Sequence, residues 1–254
     1  MLRTKLLTLS AVTAAAALSL TACAPSSSQG GGGDAAGSSS AGESTSSGSG
    51  ESLRIGIKFD QPGLGYREGS AQPTGFDTDV ARYVADKLGV AEKDIEWVQT
   101  PSANRENALE NGEVDMIFAT YSITDARKER VDFAGPYFVA GQDLLVRADD
   151  TAITGPESLE GKNLCSVTGS TSAQKIKDQF ASGVNLVEQG GYAECVTYLE
   201  SGQVDAVTTD DIILAGLAAA DANKGKFKVV GNTFTTERYG VCLLYTSPSP
   251  RDRG

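Results

Sequence analysis

Apolar and polar positions alternate along "LRIGIKF", Leu53 to Phe59, the two-residue period of a strand. A glycine-rich loop follows, "DQPGLGYREGSAQPTG". From Phe76 to Gly89 the period lengthens: Val80, Tyr83, Val84 and Leu88 fall on one face of a predicted helix, and Gly89 stops it. "IEWVQT" reads as a second strand, "NRENALENG" as a short helix ended by Gly112, and "VDMIFAT" as a third strand. The order strand-helix-strand-helix-strand predicts an α/β fold with parallel strands and covering helices.

The pattern then returns. "KNLCSVT", "VNLVEQ" and "VDAVTTD" read as strands, and "STSAQKIKDQF", "YAECVTYLESG" and "DIILAGLAAA" as the helices among and after them. Two joints are near copies, "LENGEVDMIFAT" and "LESGQVDAVTTD". Each is a helix end, a glycine stop, Val-Asp, a strand and then polar residues. A glycine after a helix is common, but the shared order around both joints predicts two similar lobes. Ligands of open α/β sheets bind outside the carboxyl ends of the strands, so the two polar strand ends would face each other across a cleft.

The chain ends change this picture. Arg3 and Lys5 precede an apolar run, Leu6 to Leu20, that ends in Leu20-Thr21-Ala22-Cys23. That is the form of an export signal over residues 1–22, and its end resembles the bacterial lipobox, in which the cysteine is acylated. Residues 23–50, mostly Gly, Ser, Ala and Thr, have nothing to bury and read as a tether. The expected lobes are 51–146 and 147–236, with 237–241 starting a return to the first lobe. Residues 242–254, "CLLYTSPSPRDRG", lack a helix or strand period. Back-translated in one frame, they resemble a transposon-end adapter used in preparing sequencing libraries. They are expected to be a non-native tail.

The formal net charge is −11, with no basic stripe, which argues against a nucleic-acid partner. There is no histidine and no zinc-type cysteine spacing, so Ser-His-Asp and Cys-His catalysis are excluded and no metal or cofactor is expected. Of the four cysteines, Cys23 belongs to the lipid. Export makes a Cys165–Cys195 disulfide the expectation, against two buried free thiols.

"ATYSITDAR", Ala119 to Arg127, carries the first candidate chemistry. Thr120 and Ser122 offer hydroxyls, and Arg127 a planar fork suited to a carboxylate. Arg127 also fits a solvated position in a helix capped by Thr124. "TGSTSAQ" places Gly169, Ser170 and Thr171 between a strand and a helix, where free N–H groups attract an anion or simply take a cap. Asp210 ends its strand, as a carboxylate for an ammonium or as the cap of the next helix. An arginine, a helix-start anion site and a carboxylate together fit a zwitterion.

On "RIGIKFDQPG", "TGFDTDVARYVADKLG", "NGEVDMIFATYSITDARKERVDFAGPYF", "LEGKNLCSVTGSTSA" and "GQVDAVTTDD", the chain resembles solute-binding protein family 3, the amino-acid-binding components of bacterial ABC importers. Within that family it is similar to actinobacterial glutamate-binding lipoproteins. The resemblance runs from about Leu53 to Val241. It implies two α/β lobes joined by crossover strands and closing like a hinged trap, with a strand after "ERYG" that completes the first lobe and is expected to be missing here. It also implies a monomer lipid-anchored on the outer face of the membrane and serving ABC permease subunits. Arg127 would take the ligand α-carboxylate, helped by Thr120, Ser122 and Thr171, and Asp210 the α-ammonium. Lys58 stands where basic-amino-acid members carry an acid, which implies an acidic ligand side chain, glutamate before aspartate or glutamine. Arg105 would assist it, or would face water. The aromatic rings that sandwich ligands in some members are not evident, since Gln61 and Ser102 stand in their place. An enzyme of the dehydratase kind found on this fold is the competing reading, but no nucleophile–base pair supports it. A receptor's sensing domain would need a spanning helix, and no later apolar run is long enough.

Overall fold

The computed structural model describes residues 52–180 and 182–244, all within one compact unit, Gly48–Gly254. The export signal, the lipobox cysteine Cys23, the tether and residues 245–254 of the expected tail lie outside the described residues. Among the described residues no helix is long and apolar enough to cross a membrane.

Two five-stranded sheets form two lobes. The first begins with β1 (Leu53–Ile57), a hairpin of β2 (Asp60–Gln61) and β3 (Gly65–Tyr66), and α1 (Phe76–Lys87). It continues with β4 (Ile95–Gln99), α2 (Arg105–Glu110), β5 (Met116–Phe118), α3 (Asp125–Lys128) and β6 (Val131–Ala140). The second holds β7 (Gln142–Arg147), β8 (Asn163–Val167), α4 (Ser172–Gln179), β9 (Asn185–Gln189), α5 (Tyr192–Glu200), β10 (Ala206–Asp210), α6 (Asp211–Ala219) and β11 (Phe227–Val229). The last strand, β12 (Glu237–Leu244), returns to the first lobe. Strand orders are β4-β1-β5-β12-β6 and β11-β7-β10-β8-β9. In each, four strands run one way and one, β12 in the first and β7 in the second, runs against its neighbours.

The near-copied joints do the same work in both lobes. Gly112 and Gly202 take positive φ values of 66° and 75°, which end α2 and α5. The Asp115 carboxylate accepts the Arg54 N–H, second in β1, and the Asp205 carboxylate accepts the Asn163 N–H, first in β8, each at 2.8 Å. Each aspartate thereby pins its strand to the neighbouring one. Thr120 and Asp210 occupy equivalent places in the two copies and end their strands at the cleft.

Four expectations change. β7 belongs to the second sheet, so the first crossover lies at Ala140–Gln142 and not after residue 146. Residues 242–244 are not outside the fold: Cys242 and Leu243 pair with Ile117 and Met116 as the end of β12, and Cys242 is fully buried. These apolar residues match the slot between β5 and β6, so the return strand expected to be missing is present. On α1 the buried stripe is Asp77, Thr78, Ala81 and Ala85; Tyr83 is 63% exposed and Leu88 60%. Small side chains let the helix approach the sheet; Val80 and Val84 pack beside them as expected, and Tyr83 and Leu88 turn outward. Finally, β6, β7, β11 and β12 complete the sheets although no clear period marked them.

Cys165 on β8 and Cys195 on α5 form the expected disulfide, with Cα atoms 5.6 Å apart and both residues fully buried. The bond ties the second lobe's inner strand to a helix whose first turn reaches the cleft.

Candidate ligand-binding site

The cleft between the lobes gathers seven of the eight expected binding residues: Arg105, Thr120, Ser122, Arg127, Ser170, Thr171 and Asp210. Lys58 stands just beyond, its ammonium 3.4 Å from Ser102 Oγ, and Ser102 lines the cleft itself.

Arg127 is at once a helix residue and a wall of the site. Thr124 caps α3 by accepting the Arg127 N–H at 3.3 Å, while the Arg127 side chain turns inward and is only 8% exposed. Its Nη1 donates to the Ser122 carbonyl at 2.7 Å, and Nη2 reaches the Gly169 carbonyl of the opposite lobe at 3.3 Å. The helix position capped by Thr124 is observed, but the side chain is buried in the cleft wall and not solvated. Arg105 does not face water: it is 4% exposed, lies over the Tyr121 ring at 3.8 Å and donates to the Ala119 carbonyl at 2.9 Å. Its Nε–H has no partner in the structure. Arg127 lies over the same ring at 4.6 Å. Glu106 answers this charge, 3.7 Å from Arg127 Nε, and also accepts the Tyr121 hydroxyl. Burial first, and then Arg105, hold the Arg127 pKa below its usual value.

Thr120 takes a left-handed conformation, φ 44°, the one non-glycine to do so among the described residues. Such a residue costs about 1–2 kcal/mol. Asp77, buried in the first turn of α1, accepts the Thr120 N–H at 2.7 Å and the Tyr137 hydroxyl at 2.8 Å. A hydrogen bond to a carboxylate contributes about 1.5–3 kcal/mol, enough to offset the strain. The "TGFD" motif thus holds the tip of β5 in the shape that turns Thr120 into the cleft. Thr120 Oγ1 in turn meets the Gln61 side-chain amide at 3.1 Å.

On the opposite wall, Asp210 stands at the start of α6 but its side chain caps nothing. It accepts the Tyr239 hydroxyl at 2.6 Å, from the returning strand. Burial pushes its pKa up to about 7, against the lowering effect of that hydrogen bond. A buried carboxylate poised near neutrality gains most from a cation placed beside it. Ser170 and Thr171 sit before α4, where Ser170 Oγ accepts the Ser172 N–H at 3.1 Å. Thr171 occupies the cap position without a side-chain cap bond, which leaves its hydroxyl to the cleft.

The Lys58 ammonium is buried, 2% exposed, and 3.5 Å from Asp60 Oδ1. Burial lowers its pKa, Asp60 opposes that, and Arg105 adds to it. Three cations therefore converge on the first wall. Tyr192 is a cleft residue that sequence reasoning missed; its hydroxyl reaches Ser170 Oγ at 3.4 Å. Its signal was the repeat: the turn before α5 matches the turn before α2, which supplies Ser102 and Arg105.

The profile of the bacterial extracellular solute-binding proteins, family 3, matches residues 53–188. The chain belongs to this family. The glutamate-binding protein GluB of Corynebacterium efficiens is 50% identical over 200 residues, 75% of this chain and 67% of that one. A glutamine-binding protein of Geobacillus stearothermophilus is 40% identical over 190 residues, 74% and 71% of the two chains. Among solved structures, an ancestral arginine-binding protein bound to glutamine superposes with a TM-score of 0.71 at 33% identity, covering 80% of this chain and 87% of that one. For this solute-binding protein, the two-lobed fold expected from the resemblance is the fold observed. The relatives reported are named as binding proteins, not as enzymes.

Proposed function

We propose that this protein captures an acidic amino acid, glutamate first, between its two lobes and presents it to the permease of an ABC importer. It would do so as a monomer from the outer face of the membrane, held there by a lipid on Cys23. In this reading Arg127, with Thr120, Ser122, Ser170 and Thr171, holds the α-carboxylate and Asp210 the α-ammonium. Lys58 and Arg105 are left for a second carboxylate.

The observation that carries the reading is Arg105: a buried guanidinium on the cleft wall whose Nε–H lacks a partner. A basic side chain would leave that N–H without an acceptor. Lys58 already faces Asp60, and Asp77 feels the charge of Arg105, so a second carboxylate on the ligand would add to these partners and supply the acceptor that the Arg105 Nε–H lacks. The names of the Corynebacterium relatives agree with this choice, whereas the glutamine-binding relatives favour the uncharged analogue.

A thermal-shift screen of the proteinogenic amino acids tests it. Ligand raises the melting temperature in proportion to its differential affinity for the folded state. The largest shift is expected with glutamate, smaller ones with aspartate and glutamine, and none with arginine or lysine. A largest shift from a basic amino acid would refute the assignment.

A further inference from the structure

Asp60 lies outside the ligand contacts assigned above, yet it touches both lobes. It sits in the β2–β3 hairpin of the first lobe, and its Oδ1 is 3.5 Å from the Lys58 ammonium. Its Oδ2 accepts the backbone N–H of Tyr192 at 2.8 Å, in the first turn of α5 on the second lobe. That N–H belongs to a helix start and has no partner within the helix. α5 has no side-chain cap from Gly191, and Glu194 serves the N–H of Gly190 at 3.0 Å. Asp60 therefore completes the capping of a helix in the opposite lobe. Gly191 makes room for it: a Cβ there would lie 2.8 Å from Asp60 Oδ2. Gly191 has extended backbone, φ −147°, so the missing side chain answers the approach of Asp60 and not a turn.

We propose that Asp60 is a positioning residue and a latch: one carboxylate oxygen holds Lys58 at the side-chain end of the cleft, and the other fastens the second lobe by capping α5. The contact can form only when the lobes are together. Lys58 and Asp60 share the first lobe, so their pair stands in either state, and closure adds the Tyr192 N–H to the same carboxylate. The charged groups facing Asp60 are Lys58 on β1's extension and Glu194 on α5. The carboxylate's repulsion from Glu194 is met by the Lys58 charge and by the helix start. This proposal rests on the amino-acid reading for its ligand, but the latch itself can be read without one.

Two variants test it in the full chain. Gly191→Ala displaces the Asp60 carboxylate while leaving every charge in place, because only the end of a flexible side chain must move. Asp60→Ala removes it. Deuterium exchange at the Tyr192 amide, with and without L-glutamate, reads the cap, and stopped-flow dissociation of L-glutamate and L-glutamine reads closure. Both variants are expected to speed Tyr192 exchange and both dissociation rates by about tenfold or more, with the melting temperature of the ligand-free protein unchanged. Wild-type rates of exchange and dissociation in both variants would overturn the latch. If the wild type binds neither amino acid, the proposed function fails, and the latch is decided with whichever proteinogenic amino acid raises the melting temperature most: Tyr192 exchange as fast in the wild type as in the variants in its presence overturns it.

Discussion

Two guanidiniums over one tyrosine ring repel each other, and Glu106 compensates only part of their charge. Asp77 offsets Arg105 and Glu237 adds to Glu106 at Arg127, and in the proposed reading the ligand carboxylates join them. Their roles separate by substitution. Arg127→Met should weaken glutamate, aspartate and glutamine by a similar factor, about tenfold to a hundredfold, since it removes a contact to the shared α-carboxylate. Lys58→Met and Arg105→Met should instead weaken glutamate more than glutamine and narrow the gap between them. Calorimetric titration reads both, and an unchanged gap in both variants would remove the side-chain assignment. Asp210 adds a pH dependence. Its pKa is about 7 without ligand, and a bound ammonium lowers it. Affinity should therefore be level above pH 7 and fall as pH drops below it, approaching tenfold per unit. Asp210→Asn should weaken binding and flatten that slope; a slope that persists in the variant would assign the titration elsewhere. Of these residues, Arg127 and Asp210 were singled out in the sequence by the polar stretches that follow or end their strands, and both line the cleft. The burial of Arg105 was not legible, because it depends on a ring from another element, Tyr121, and helix period alone points it either way.

At the scale of elements, the parallel strand-helix units were readable because each carried its own period and its own glycine stop. The antiparallel strands were not. β6 contains Gly135 and Pro136, which break the alternation, and β11 is three residues long. β12 ends in residues that resemble an adapter sequence and yet fill a buried slot. What recruits these strands is an open sheet edge, a tertiary demand that no local pattern announces. The disulfide belongs to this scale too. It closes a 30-residue separation between β8 and α5, a loop whose closure contributes about 3–4 kcal/mol in the chain-entropy account. Cys165→Ala with Cys195→Ala should lower stability to denaturant by about that amount and loosen α5 at the cleft. A double variant as stable as the parent would show that the helix is held by its packing alone.

At the scale of the whole molecule, the lobes meet through contacts that exist only when the cleft is shut: Arg127 with the Gly169 carbonyl, Tyr239 with Asp210, and Lys175 with Glu237. Two of these involve residues proposed to hold ligand, so binding and closure draw on the same groups. The proposed delivery to a permease from a lipid anchor adds a prediction of its own. Cys23→Ala should move it from the membrane fraction to the soluble one, and membrane retention by the variant would contradict the lipid anchor. The central claim, however, is the second carboxylate. Its most direct test is one comparison on the unaltered protein: calorimetric titration with L-glutamate and with L-glutamine, which differ only in that group's charge. A charge-assisted contact predicts that glutamate binds about tenfold to a hundredfold more tightly; equal affinities, or a preference for glutamine, would contradict it.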